Sequence, residues 1–357
     1  MLMALLFFGC GEKENDDIKI GFIAGLSGKY SSLGISIRDG FLLAFDEINY
    51  KIDGKQVTVI QKDDKQDIEE AKKAIKYFIN NNIKLVVGNA TSSMTKISIT
   101  EVNKHKDMLL ISATASGYEF THKDDNFLRV QVENSQKRYG TLLKYIKKKG
   151  YKNIFLIYDS RNISYVDGYK DIFQNMILEN DGEEFVGSVD LNSKYNLIKE
   201  QLQLHKSDLI LIVGNSIDTA NIIQYIRHHN ITTDILGSGW AKTMDFITNG
   251  GKAVEGVSFS TPYDDHSKDI KFVEFVNKFE KKYNKKPSVF AAQGYELGQI
   301  LIQNLQESSD ITTLKKRILD RGKYKGLQGD IIFDKYGDIK RDYFMIKVIE
   351  KSFKKID

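Results

Sequence analysis

IKIGFIA at residues 18–24, GLSGKYSSLG at 25–34 and ISIRDGFLLAFDEI at 35–48 form the stretch that decides the fold. The first piece is a short, nearly continuous apolar run, the pattern of a strand buried on both faces of a sheet. The second is a glycine- and serine-rich loop. The third places apolar residues at 35, 37, 41, 42, 45 and 48, close to the helical period. Strand, loop and helix in that order make one β–α unit, and the unit recurs. A turn at Asp53-Gly54 precedes a strand over 56–61 and a helix over 67–80. A third strand, 85–88, leads to a helix opening at Ser92 or Ser93, and a fourth strand covers 108–112.

The pattern then restarts. Helix 135–149 precedes strand 153–158 and helix 166–179, followed by strand 185–190, helix 195–205, strand 209–213, helix 219–229 and strand 235–237. Helices over 268–283 and 289–306 and strands over 330–333 and 343–348 complete the chain. Such alternation predicts an α/β protein with two doubly wound parallel-sheet lobes. Ligands of open α/β sheets bind beyond the carboxyl ends of the strands. With two such sheets facing each other, the natural site is the cleft between them.

Length and composition agree with this. A chain of 357 residues exceeds one average domain, and 41% apolar with 28% charged residues is the mixture of a globular protein. A net charge of +4 from 52 basic and 48 acidic residues is too balanced for a nucleic-acid binder. Lysine runs such as 147–149 read as solvated helix surface. The single cysteine, Cys10, excludes a disulfide framework and a cysteine-rich metal site. It follows an apolar run, residues 1–8, and Gly9, and precedes the polar stretch 11–17. The run is too short for a membrane span and has the shape of a signal-peptide apolar region. Gly9-Cys10 resembles a bacterial lipobox, in which the thiol is acylated. It departs from that pattern in having no Lys or Arg before the run, and Phe7 where Leu is usual.

No phosphate-binding loop, dinucleotide fingerprint or nucleophile elbow is present. His228 and His229 are adjacent on a helix and point to different faces, so they do not form a metal pair. Asp63-Asp64 follows a strand with no nucleophile or metal set beside it, and reads as a polar loop rather than an acid/base pair. No cofactor, metal or enzymatic activity is expected.

Several stretches carry a resemblance: 19–28, 38–40 through 45–49, Asp63-Asp64, 87–93 (VGNATSS), 111–116 (ISATAS), 252–256 and 261–263. In order and spacing they resemble the type I periplasmic binding proteins of the leucine/isoleucine/valine-binding group, which serve ABC importers. The resemblance implies lobes joined by a hinge of several crossovers, one made of 18–132 and 260–327, the other of 133–259 and 328–357, after a signal and tether over 1–17. It places Ser92 where the family hydrogen-bonds a ligand carboxylate, a role suited to a serine at a helix N-terminus. A simple helix cap at 91–93 is the plainer alternative. Thr114 and Ser116 match the loop that holds the ligand's carboxylate and ammonium. Tyr165 matches an aromatic that closes from the second lobe, and Tyr295 a late aromatic-bearing helix.

The chain also departs from the family. Where a carboxylate usually meets the ligand ammonium, the sequence reads Gly237-Ser-Gly-Trp240, and Gly239 has no side chain. Asn215 occupies a position resembling a tyrosine contact. Trp240, the only tryptophan, lines the cleft or fills core. An unpaired buried ammonium costs several kcal/mol, so either another acid, such as Asp218 or Glu296, substitutes or the ligand lacks an amino group. The resemblance implies a monomer that closes over an amino acid or related small carboxylate and docks on an ABC permease; the likeness of Gly9-Cys10 to a lipobox implies a lipid that holds it at a bacterial membrane, in the periplasm or at the cell surface. A sensory module of the same fold is the alternative.

Overall fold

The structure is a computed structural model that describes residues 17–179 and 182–356. Cys10 and the apolar run before it lie outside the described residues.

The first sheet holds β1 (Ile18–Ala24), β2 (Lys51–Ile52), β3 (Lys55–Asp63), β4 (Leu85–Gly88), β5 (Leu109–Ser112) and β6 (Phe127–Arg129). Their order is β2-β3-β1-β4-β5-β6, parallel except for the β2–β3 hairpin. The second sheet begins with β7 (Asn153–Tyr158), β8 (Glu184–Asp190), β9 (Leu209–Val213), β10 (Asp234–Gly237) and β11 (Ser258–Thr261). A small antiparallel sheet follows, β12 (Lys323–Lys325), β13 (Asp330–Phe333) and β14 (Ile339–Lys340). The chain then returns to the second sheet with β15 (Phe344–Ile349) and β16 (Ser352–Lys355), giving the order β16-β15-β11-β10-β9-β7-β8. Strand order reverses between β1 and β4 in one sheet and between β7 and β9 in the other. At each reversal the loops leaving neighbouring strands diverge and open a crevice.

Two expected boundaries move. Residues 328–340 do not belong with the second sheet: β13 pairs with β12, and the wholly buried Arg129 on β6 holds Asp338 at 2.7 Å, which ties this segment to the first lobe. Residues 260 and 261, assigned to the first lobe, are the end of β11 in the second sheet. The chain therefore crosses between lobes near 130–135, 262–269 and 341–343. Asp334 and Asp338 lie near His122. Asp334 accepts three backbone N–H bonds and Asp338 is engaged by Arg129 and by the His122 backbone, so the group ties loops together.

Helix Val289–Glu307 lies across helix Ser31–Asp46 in backbone contact. A methyl on Gly40 would sit 1.9 Å from the Ala291 carbonyl oxygen, and one on Gly294 would sit 2.2 Å from that of Ile37. Only glycine admits such an approach. That contact brings the start of the later helix to the cleft.

At the crossovers, Glu296 is 3% exposed. It accepts two bonds from Arg341 Nη2, at 2.8 and 2.7 Å, one from the Leu327 backbone at 2.7 Å, and one from the Tyr263 hydroxyl. Tyr263 and Arg341 lie on two of the three crossing segments, so one buried ion pair ties both to the helix of the first lobe. Glu296 is therefore a tie between segments and not the acid that meets a ligand.

Candidate ligand-binding site

Between the sheets lies a cavity with about 500 Å³ of empty space, its mouth included. The first lobe contributes the loop after β4 and the loop after β5. Ala90, Thr91 and Ser92 line it from one, Thr114 and Ser116 from the other. Ser92 is 2% exposed, and its Oγ accepts bonds from the backbone N–H groups of Ser116 and Gly117, both at 3.1 Å. With its acceptor capacity so used, its own proton remains to donate. Thr114 is the converse: its hydroxyl donates to the Ala90 carbonyl at 2.6 Å and keeps only acceptor capacity. The three hydroxyl residues picked out from sequence are thus brought to one enclosed spot.

Asp64 holds the first of these loops, and Asp63 holds the loop after β1. Asp63 accepts from the Leu26 and Lys65 backbone, and Asp64 accepts from Asn89 Nδ2 at 2.8 Å. Burial raises the Asp64 carboxyl above its ordinary range, against the opposing pull of that Asn89 bond. Asp64 thus positions the β4 loop through Asn89.

Helix Ser92–Val102 begins at the cavity. Thr91 stands at its cap position, yet its hydroxyl turns away to Gln66 Oε1 at 2.8 Å. The N–H of Ser93 instead donates to Asn162 Oδ1 of the second lobe at 3.1 Å, and Ser93 Oγ accepts from the Ser164 N–H at 3.2 Å. A helix N-terminus is therefore capped from across the cleft.

The second lobe supplies Asn162, Tyr165, Arg138, Gly239 and Trp240. Tyr165 and Trp240 meet edge to face at 6.1 Å, and Trp240 stacks on Tyr30 of the first lobe at 6.3 Å. Trp240 therefore forms wall, not remote core. Gln131, Ser260 and Tyr343, on or beside the crossing segments, also line the cavity, as do Phe290 and Gln293 from helix Val289–Glu307.

Two expected contacts fall elsewhere. Asn215 caps helix Ser216–His228, accepting from the Asp218 N–H at 3.0 Å and donating to Asp218 Oδ2 at 2.8 Å, outside the cavity lining. Tyr295 also lies off the lining; its hydroxyl donates to Glu47 Oε1 at 3.0 Å and its ring packs on Phe275. The reason is helical phase: Gln293 faces the cavity, and two residues further on is about 200° round the helix.

Around the rim the lobes touch through charge. Lys29 Nζ is 2.9 Å from Asp218 Oδ2, and the Tyr30 hydroxyl donates to Asp159. Asp159 and Asp218 share Arg161, at 2.7 Å each. Burial pushes the Asp218 carboxyl up, but bonds from Lys29, Asn215 and Arg161 outweigh it and hold the group below its ordinary range. Burial, and then the Asp159 charge, push the Tyr30 hydroxyl well above its usual value. Tyr118 donates to Asp171 across the lobes at 2.8 Å; that bond, followed by burial, pushes it up to about 12. Asp218 thus belongs to the rim latch rather than the ligand cavity.

Arg138 and Gln293 are among the wall residues missed from sequence. Arg138 reads as one more cation in the basic helix Gln136–Lys149, but it shares the buried face of Leu142 and Tyr145, which is the signal that marks it.

A family match described as periplasmic binding protein covers residues 17–352. The Leu/Ile/Val-binding protein of Citrobacter freundii is 23% identical over 332 residues, 91% of this chain and 88% of that protein. Among solved structures, a leucine-binding protein from Thermotoga maritima superposes with a TM-score of 0.85 at 20% identity, over 95% of this chain and 98% of that one. A solute-binding protein of an ABC transporter from R. palustris, in complex with benzoate, gives 0.85 at 17% identity, over 95% of each. Among the described residues no helix is long and apolar enough to cross a membrane. With two facing doubly wound sheets, a cavity walled by both, and a match along nearly all of its length, the chain belongs to the periplasmic binding protein family.

Proposed function

We propose that this protein is the extracytoplasmic solute-binding component of an ABC importer, closing its two lobes around an amino acid or similar small carboxylate. The observation that carries this reading is a cavity whose walls come from both lobes and from the crossing segments. A ligand seated there contacts both halves, binds the closed form better than the open one, and shifts the population toward it. The closed form is what the permease recognises. The relatives named for Leu/Ile/Val binding, and the benzoate complex of the same fold, support a small carboxylate as cargo. Ser92, Thr114, Ser116, Tyr165 and Trp240 are the proposed ligand contacts. Lipid attachment at Cys10, outside the described residues, would hold the monomer at the membrane.

Two readouts test this. Trp240 is the only tryptophan, and it stands in the cavity wall, so its fluorescence reports occupancy directly. Small-angle scattering reports closure. A panel of amino acids and small carboxylates is expected to contain a compound that changes the fluorescence and reduces the radius of gyration together. Tight binding without compaction, or no response to any small solute, refutes the closure mechanism.

A further inference from the structure

The charge inventory of the cavity is one-sided. Among its lining residues stand one arginine and no aspartate or glutamate. Arg138 is 7% exposed, and no carboxylate forms an ion pair with it among the described residues. Its Nη1 donates to the Val132 carbonyl at 3.2 Å and to Asn134 Oδ1 at 3.0 Å, and its Nη2 to the Tyr165 hydroxyl at 3.3 Å, all neutral acceptors. The rings of Tyr165 and Tyr343 lie 5.6 and 5.3 Å from the guanidinium carbon. These neighbours orient the group but carry no counter-charge, and a guanidinium does not neutralise itself by losing its proton. A buried charge left without an opposite is costly.

A second, independent observation lies on the opposite wall. Gln293 is 1% exposed, lines the cavity, and among the described residues neither its Oε1 nor its Nε2 has a hydrogen-bond partner. Ser260 Oγ, also in the lining, is likewise unpartnered. Buried polar atoms are nearly always satisfied, so these groups are arranged for something that enters.

We infer that the physiological ligand is a monocarboxylate without an ammonium group, its carboxylate neutralising Arg138 and a neutral polar group reaching Gln293. The inference rests on the solute-binding reading above and names the chemical class for the same site. An ammonium would enter a cavity that offers it one positive charge and no negative one. At Gly239 a Cβ would meet only the Ser260 carbonyl oxygen, at 3.6 Å, so there is space for an acidic side chain that the sequence does not supply. Thr114 and Gln293 Oε1 can accept from a neutral hydroxyl, which suits an acid bearing one. Tyr165, Trp240, Tyr343 and Phe290 give a flat or branched apolar body its walls.

The test uses matched pairs on the intact protein, read by Trp240 fluorescence and calorimetry. L-leucine against 4-methyl-2-oxopentanoate changes the ammonium for a carbonyl; benzoate against benzamide removes the charge from the carboxylate. The oxo acid and benzoate are expected to bind about 100-fold or more tighter than their partners, the size of effect set by an unpaired buried charge. Leucine binding as well as the oxo acid overturns the inference while leaving the solute-binding reading intact. Benzamide binding as well as benzoate overturns the role of Arg138. No response from any of the four overturns the inference, and the solute-binding reading falls with it only if the wider panel is also silent. Arg138→Gln should lose about 100-fold in carboxylate affinity, with Arg138→Lys recovering part of it. Since Arg138 is packed among tyrosines, thermal melts of both variants accompany the titrations, and the ligand pairs decide the matter if either variant unfolds.

Discussion

Replacing Glu296 by glutamine changes one oxygen to an amide and little else, yet it removes the negative charge from the most buried ion pair at the crossovers. In the native chain both carboxylate oxygens accept from Arg341 Nη2, while the Leu327 N–H and the Tyr263 hydroxyl take the remaining lone pairs. The Arg341 side chain is 6% exposed and that of Glu296 2%. Removing one member of such a pair leaves the other charge uncompensated, at a cost of about 3–5 kcal/mol. Against a total stability of roughly 5–15 kcal/mol, Glu296→Gln is expected to lower the urea midpoint by about 1 M or more, taking a slope of roughly 3 kcal/mol per molar. The assay is equilibrium urea unfolding followed by far-ultraviolet circular dichroism. A second arm combines Glu296→Leu with Arg341→Met: each alone should be costly, and together they should recover at least ~2 kcal/mol, because neither then strands a charge. A loss below about 1 kcal/mol for Glu296→Gln, or simple additivity of the pair, refutes the idea that this contact pins the crossing segments.

Two further outcomes are expected. Gly294→Ala puts a methyl against the Ile37 carbonyl and forces the two crossing helices apart, for a loss of about 1–3 kcal/mol and a Tm lower by ~4 °C; because Phe290 and Gln293 stand on that helix, ligand affinity should fall as well, and an unchanged Tm contradicts the close contact. Asp218 is held below its ordinary carboxyl range in the closed form, so the stability it contributes is complete above its ordinary pKa of about 4 and is lost as pH falls through the lower, folded-state value. Wild type should therefore lose more stability on acidification below pH ~4 than Asp218→Asn does, measured by thermal melts across that window, and parallel curves count against the latch.

What could be read from the sequence was what physics writes locally. Strands Leu85–Gly88, Asn153–Tyr158 and Leu209–Val213 match their expected limits because each is an apolar run closed by a polar or glycine residue. β6 and β11 were not legible. Phe127–Arg129 is only three residues long and ends in an arginine that becomes wholly buried through a partner at 338, and Ser258–Thr261 alternates serine with phenylalanine while every residue is buried. Both depend on partners far away in sequence. The site divides in the same way. All the expected contacts rest on the family likeness: Ser92, Thr114 and Ser116, in loops at strand ends, line the cavity, whereas cap geometry turns Asn215 away from it and helical phase turns Tyr295 away. Arg138 and Gln293 sit inside helices, and only the three-dimensional charge inventory reveals what they lack.

The helix that opens at Ser92 does not finish itself. One of the free amides of its first turn is met by a side chain belonging to the other half of the molecule, so bringing the halves together also completes a piece of secondary structure. Such a cap is worth about 1 kcal/mol, available only in the shut geometry and regained by water when it parts. Amide protons in that first turn should then exchange at a rate that tracks the gap between the halves, making a local helix terminus into a gauge of global position.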